Sequence, residues 1–274
     1  MLNVMKDLTY RDFLIPKKNG KPRKISAPSK DLLRYQRRLL PFLVRHHQKE
    51  TKELNINHIQ HGFIPNRNCV TAASMHIGFK YTICMDLSNF FDSCNKSMFG
   101  REITKHEPLF HKQGHCAQGF ATSPILCNIA SIPFVHQLNK ILKNIHNSGS
   151  TNQESQLVDY NKYAFTIYAD DIQISTNNRF LIKDIITFVE QVAQRSAFSI
   201  NKNKTRVRSS ESGYRKILGI NVGDDHIRAT RHTMRRIRAS DHQGNFHSCG
   251  GLTAWSLCYY PRALQGHTKS FFKA

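Results

Sequence analysis

Phe165-Thr166-Ile167-Tyr168-Ala169-Asp170-Asp171-Ile172-Gln173-Ile174-Ser175 alternates apolar and polar residues on both sides of a pair of acids. Such alternation belongs to strands, so the stretch reads as two short strands joined by a connection that holds Asp170 and Asp171. Adjacent acids at a tight turn can be turn chemistry alone, because Asp favours such positions. What tips the balance is a third carboxylate. Tyr81-Thr82-Ile83-Cys84-Met85-Asp86 is another strand-like run, and Asp86 ends it. Its Ile83 and Met85 are expected to face a core, with Thr82, Cys84 and Asp86 on the opposite surface. Ser88 follows as a plausible cap for a helix start. Strand-end acids in a chain of net charge +21 suggest an enzyme that uses divalent metal to act on nucleic acid.

The 274 residues hold 40 Lys and Arg against 19 Asp and Glu, with 39% apolar content. That is enough to bury a core in one composite domain or two small ones. Basic residues spread along the whole length imply a polyanionic partner, because Lys and Arg that neutralise phosphates release counterions. A merely solvated basic surface is the weaker reading at this charge. No apolar run approaches the roughly 20 residues needed to span a bilayer. The start, Met1-Leu2-Asn3-Val4-Met5-Lys6-Asp7, lacks the apolar stretch of a signal peptide. A cytoplasmic location with no membrane partner is therefore expected. The seven cysteines, Cys69, Cys84, Cys94, Cys116, Cys127, Cys249 and Cys258, are odd in number and form no C-x-x-C pair. They are read as reduced thiols. His106, His111, His115 and Cys116, with the distant His242, His247 and Cys249, lack paired ligand spacing, so no structural zinc is expected.

Phe13-Leu14-Ile15-Pro16 and Arg23-Lys24-Ile25-Ser26 flank Lys17-Lys18-Asn19-Gly20-Lys21. Asn-Gly between strand-like segments predicts a hairpin with a type I′ turn, and the density of Lys17, Lys18, Lys21, Arg23 and Lys24 favours a phosphate contact. Apolar spacing from Leu32 to Val44 predicts a helix with a core face and a basic face carrying Arg34, Arg37 and Arg38. Residues 144–162 are polar and read as a surface excursion. Ile182 to Val192 has the spacing of a core helix beneath the sheet. From Lys202 to Ala274 there are 14 Lys and Arg and four Asp and Glu, a balance of 14 − 4 = +10. Arg231, Arg235 and Arg238 fall on one face of a predicted helix, and Leu252 to Leu257 reads as a second, with Trp255 as a packing anchor.

Met85-Asp86-Leu87-Ser88-Asn89-Phe90-Phe91-Asp92, Gln118-Gly119-Phe120-Ala121-Thr122-Ser123-Pro124 and Tyr168-Ala169-Asp170-Asp171 stand in the order and approximate spacing of reverse transcriptase motifs. The chain resembles prokaryotic reverse transcriptases of the retron and phage-defence-associated type, relatives of the group II intron enzymes. Arg23-Lys24-Ile25-Ser26-Ala27-Pro28 and His61-Gly62-Phe63-Ile64-Pro65-Asn66-Arg67-Asn68 look like the first blocks of that family. Ser199-Ile200-Asn201-Lys202-Asn203-Lys204-Thr205 and Ile217-Leu218-Gly219-Ile220 look like its last palm blocks. Ala72-Ala73-Ser74-Met75-His76 keeps the histidine of the retron Asn-Ala-x-x-His signature but not its asparagine, and Ile217-Leu218-Gly219 departs from Val-Thr-Gly. Those departures favour a defence-associated relative over an ordinary retron enzyme. The short C-terminal region argues against a full group II intron protein.

The resemblance implies an α+β right-hand polymerase, its antiparallel palm sheet packed on helices. Residues 1–78 would be mainly fingers, 79–222 palm with an interleaved fingers segment near 96–115, and 223–274 a short basic helical thumb. The implied catalytic residues are Asp86, Asp170 and Asp171. With the Leu87 carbonyl they would hold two Mg²⁺ ions, for which Mn²⁺ can substitute. Phe91 matches the aromatic gate that excludes a ribonucleotide, although a core Phe beside Phe90 is nearly as good a local reading. Gln118 and Gly119 match the nucleotide-contacting position, Lys21 and Arg23 would grip the triphosphate, and Lys204 resembles the late palm lysine. Arg231, Arg235 and Arg238 would track the duplex. The implied partners are a noncoding RNA template, the RNA–DNA hybrid, dNTPs and an effector protein. Two rival readings use fewer of these features: an RNA-binding scaffold with a vestigial polymerase site, and a metal-dependent nuclease.

Overall fold

The computed structural model describes residues 7–16, 20, 22–148 and 162–257; Lys17, Lys18, Lys21, Cys258 and residues 149–161 lie outside them. In chain order come strands β1 (Tyr10–Pro16) and β2 (Pro22–Pro28), helices α1 (Lys30–Glu53) and α2 (Cys69–Ser74), and strand β3 (Tyr81–Asp86). Helices α3 (Phe90–Ser93), α4 (Arg101–Thr104), α5 (Ser123–Ala130) and α6 (Ile132–Ser148) follow. Strands β4 (Tyr163–Tyr168) and β5 (Asp171–Thr176) lead to helix α7 (Leu181–Arg195). Strands β6 (Arg206–Ser209), β7 (Arg215–Ile217), β8 (Ile220–Val222) and β9 (Ile227–Ala229) precede helices α8 (Arg231–His242) and α9 (Phe246–Leu257). The architecture is α+β, built on antiparallel sheets.

A four-stranded sheet in the order β4-β5-β3-β6 forms the centre. Its period-two pattern sends Ile83, Met85, Phe165, Ile167, Ile172 and Ile174 to one side. There they join Leu126, Phe134, Val135, Leu138, Leu142, Ile185, Val189 and Val192 of α5, α6 and α7 in the main core. Each such fully buried aliphatic side chain contributes on the order of 1.5–3 kcal/mol relative to exposure. The helix expected beneath the sheet is α7, with Ile185, Val189 and Val192 buried.

The other face differs from the expectation of an open surface. Thr82, Thr166, Ser175 and Gln173 are all buried there. His76 covers them, its Nδ1 2.7 Å from Ser175 Oγ and its Nε2 2.8 Å from Thr166 Oγ1. Arg215, brought in by the three-stranded sheet β7-β8-β9, donates to Thr82 Oγ1 at 2.9 Å and to the His76 carbonyl at 2.8 Å. Polar residues that alternate with apolar ones are thus interior here, because they satisfy one another.

Other expectations are also corrected. β1 and β2 pair antiparallel from Tyr10↔Pro28 to Pro16↔Pro22, and Asn19 of the expected Asn-Gly turn lies outside the described residues. A two-residue hairpin with both central residues at positive φ, which no sequence signal announced, joins β7 and β8 at Leu218 (φ 49) and Gly219 (φ 82). α1 runs well past Val44, and its buried stripe is Leu32, Gln36, Leu43, His47 and Thr51, so polar residues extend the apolar face. The residue at the start of α3 is Asn89, not Ser88; it lies in the left-handed region at φ 49 and makes no side-chain cap bond. Residues 144–148 continue α6 instead of opening the polar excursion.

Candidate active site

The site begins with register. β3 pairs with β5 so that Asp86 stands directly opposite Asp171, which brings their Cβ atoms within roughly 4.5–5.5 Å for such pairs. Tyr168 pairs with Asp171 across the β4–β5 hairpin, leaving Ala169 and Asp170 as its two-residue turn, with Ala169 at φ 55. Past Asp86 the chain stays clamped on both sides. The Leu87 amide donates to the Asp170 carbonyl at 2.8 Å, and the Ser88 amide to the Ser199 carbonyl at 2.7 Å. The Asp86 carbonyl accepts from the Asn201 amide at 2.8 Å.

Sequence reasoning missed the support under the turn. The His61 amide donates to the Ile167 carbonyl at 2.7 Å, and the Ile167 amide to the Ile59 carbonyl at 2.9 Å, so this segment lines the outer edge of β4. A Cβ at Gly62 would stand 2.5 Å from the Ala169 nitrogen, so only glycine lets the two backbones meet. The Gly62 carbonyl accepts from Asn128 Nδ2 at 2.8 Å. Gln60 ties the segment to α1 and α5, with Oε1 2.6 Å from His47 Nε2 and Nε2 donating to Ser131 Oγ at 2.9 Å. The glycine next to a motif histidine was the one available signal.

Electrostatics set the three carboxylates apart. Burial pushes the Asp171 carboxyl up to about 6, helped by the negative charges of Asp170 and Asp86 and opposed by Lys204. Asp170 is also raised, first by burial and then by Asp86, with Lys204 and Arg23 pulling it down. Lys204 Nζ donates to Asp86 Oδ1 at 2.7 Å, and that bond raises the Lys204 ammonium. Among the described residues no three His, Cys, Asp and Glu side chains converge as a ready metal cage. The donor set nevertheless suits a hard divalent cation: oxygen ligands whose mutual repulsion a cation relieves, with Lys204 having to yield Asp86.

Around the acids, exposed Arg23 on β2 faces the turn closely enough for its charge to stabilise ionised Asp170. The Ser26 amide of the same strand donates to the Gln118 carbonyl at 2.8 Å. Gly119, at φ 114, would place a Cβ 2.5 Å from the Ser26 carbonyl oxygen, so glycine is needed for both conformation and approach. Gln118 itself is half-buried. The structure separates the two phenylalanines: Phe90 is buried against Phe198, ring centroids 5.8 Å apart, while Phe91 is only partly buried. Arg231, Arg235 and Arg238 are exposed on α8 and form a basic surface of their own. Lys21 lies outside the described residues.

His111 and His115 stack 4.6 Å apart, with His111 Nε2 3.2 Å from Asp12 Oδ2 and Lys24 Nζ 3.0 Å from the same oxygen. This is an ion-pair cluster at the root of β1–β2, where the Ser26 hydroxyl, Lys24 and His111 hold the Asp12 carboxyl well below the usual carboxylate range. Among the described residues no helix is long and apolar enough to cross a membrane.

A sheet that presents carboxylates from a strand end and a neighbouring hairpin turn, on a strongly basic chain, belongs to the nucleic-acid polymerase class. The family model described as reverse transcriptase (RNA-dependent DNA polymerase) matches residues 15–222, and the chain belongs to that family. Polymerases of this family typically use divalent metals. The chain is similar to the retron Mx65 reverse transcriptase of Myxococcus xanthus, with 26% identity over 262 residues, 85% of this chain and 56% of that one. To the retron Ec73 reverse transcriptase of Escherichia coli it is 25% identical over 248 residues, 82% of this chain and 72% of that one. It thus spans about half the length of some curated relatives, 52% for the retron Mx162 reverse transcriptase of Myxococcus xanthus. Among solved structures, telomerase from Candida tropicalis in complex with a fragment of telomeric RNA aligns with TM-score 0.56 at 13% identity, over 97% of this chain and 55% of that one. The apo telomerase of the same organism, truncated from its C-terminal domain, gives 0.52 at 14% identity over 81% of this chain and 55% of that one. These likenesses show a shared polymerase fold.

Proposed function

We propose that the chain is an RNA-directed DNA polymerase that copies a noncoding RNA into DNA, in a retron or phage-defence setting. The observation that carries the reading is the register pair Asp86↔Asp171 with Asp170 in the adjoining turn, three acids gathered at one end of the sheet. Residues 1–78 act mainly as fingers, 79–222 as palm with a fingers segment near 96–115, and 223–274 as a short thumb. Asp86, Asp170, Asp171 and the Leu87 carbonyl would hold two Mg²⁺ ions, or Mn²⁺ in their place. Bound there, the ions supply an activated primer hydroxyl and neutralise charge on the triphosphate.

The remaining work falls to the chain's own groups. Arg23, with Lys21, offers donors to the triphosphate oxygens, and a guanidinium does so in a forked geometry. Lys204 pairs with the Asp86 carboxylate and offers its ammonium to the triphosphate. Gln118 presents its amide to the incoming dNTP, and Gly119 keeps the backbone close enough to do so. Phe91, on the partly exposed side of the Phe90–Phe91 pair, presses on the sugar and selects deoxynucleotides. The α8 arginines engage the phosphates of the RNA–DNA hybrid, and an effector protein is a further partner.

The test is primer extension on an RNA template with dNTPs. Asp170→Asn is expected to lower incorporation by at least about 10³-fold while the variant stays folded. Equal incorporation by the variant refutes the reading. Tight RNA binding with no incorporation by the unaltered chain favours the scaffold reading.

A further inference from the structure

The turn after His61 presents an aromatic ring at odds with both its backbone and its burial. Phe63 sits at φ 59, in the left-handed region that a bulky side chain enters only against a steric penalty. It is also 49% exposed, so burial does not compensate. The residues on either side are well held. Ile64 turns inward against the main core, the Gly62 carbonyl is bound by Asn128, and Gly62 lies against the Ala169 backbone. The result is a rigid turn that fixes the Phe63 ring beside Tyr168, ring centroids 6.4 Å apart and planes tilted by 38°. Tyr168 is the residue immediately before the Ala169–Asp170 turn. Strain retained next to a reactive centre, where packing does not need it, marks a surface meant for a ligand.

We infer that Phe63, with Tyr168 behind it, is a contact platform for the nucleobases of the strand end at the carboxylates. The chemistry fits: aromatic faces on a basic protein accept any base, because every base has a π-face, and a copying site has to accept all of them. Phe63 is thus a binding residue that positions the hybrid. This inference rests on the polymerase reading and adds to it a residue outside the acid and phosphate machinery.

The experiment uses the full chain with Asp170→Asn, so that binding is read without extension, and an RNA–DNA hybrid carrying 2-aminopurine at its terminal pair. Phe63→Gly is expected to weaken hybrid binding about tenfold. It should also reduce the 2-aminopurine quenching and leave the salt dependence of binding unchanged, since no phosphate contact is lost. Its thermal midpoint should hold or rise, because glycine relieves the left-handed conformation. Phe63→Trp should restore binding and quenching. In the chain with its acids intact, Phe63→Gly should raise KM for the hybrid and leave kcat within about twofold. Unaltered affinity and quenching in Phe63→Gly, or failure of tryptophan to restore them, overturns the inference and leaves the polymerase reading standing. Failure of the unaltered chain to bind hybrid at all sinks that reading, and this inference with it.

Discussion

The polar face of the central sheet has two ends that began with similar material. At one end Thr82, Thr166, Gln173, Ser175, His76 and Arg215 form a closed hydrogen-bonded set, with Arg215 Nε left as an orphan donor among the described residues. At the other end, a few residues along the same strands, Asp86, Asp170 and Asp171 crowd like charges, which Lys204 opposes at Asp170 and Asp171 and Arg23 at Asp170. The first end neutralises itself: burial, then Arg215 and His61, push the His76 imidazolium down to about 3, so the ring stays neutral. The second end does the opposite and stores repulsion. One face thus carries a hydrogen-bonded network that fixes strand position and, beyond it, a group of crowded carboxylates.

The contrast can be broken from the closed end first. Arg215→Ala removes a fully buried side chain and its bonds to Thr82, the His76 carbonyl and the Gly223 carbonyl. The expected cost is on the order of 3 kcal/mol or more, read as a lowered midpoint in urea unfolding. Thr82→Val is gentler, since it deletes one hydroxyl shared by Arg215 and Ser175. It should destabilise by about 1–2 kcal/mol and leave nucleotide incorporation unchanged within about twofold in a primer-extension assay.

At the open end the sign reverses. The folded Asp171 binds its proton more tightly than the unfolded chain does, being raised from 3.8 to about 6. Its contribution to stability is therefore present below the unfolded value and is lost as pH rises toward about 6. In a chelating buffer near pH 7.5, Asp171→Asn should raise the thermal midpoint by about 2–4 °C and flatten its decline between pH 4 and 6.5. A midpoint that falls in the variant would show that the acids are compensated and the two ends alike.

How far the sequence could be read follows the same division. Ile83, Met85, Ile172 and Ile174 announce their strands by alternation, and the acids mark the candidate site, because both signals are local. The closed network is not local: His76 meets Ser175 across 99 residues and Arg215 meets Thr82 across 133. A threonine or serine opposite an apolar neighbour looks the same in sequence whether it meets water or a distant arginine.

Position 118 carries its anchoring and its proposed nucleotide contact on different atoms. The bond to Ser26 uses the main-chain carbonyl, which every amino acid possesses, so exchanging the glutamine leaves that anchor in place. A library of variants at this site would report on the amide group alone, uncontaminated by loss of scaffold, whereas the neighbouring glycine tolerates no such survey because its own backbone approach is the scaffold.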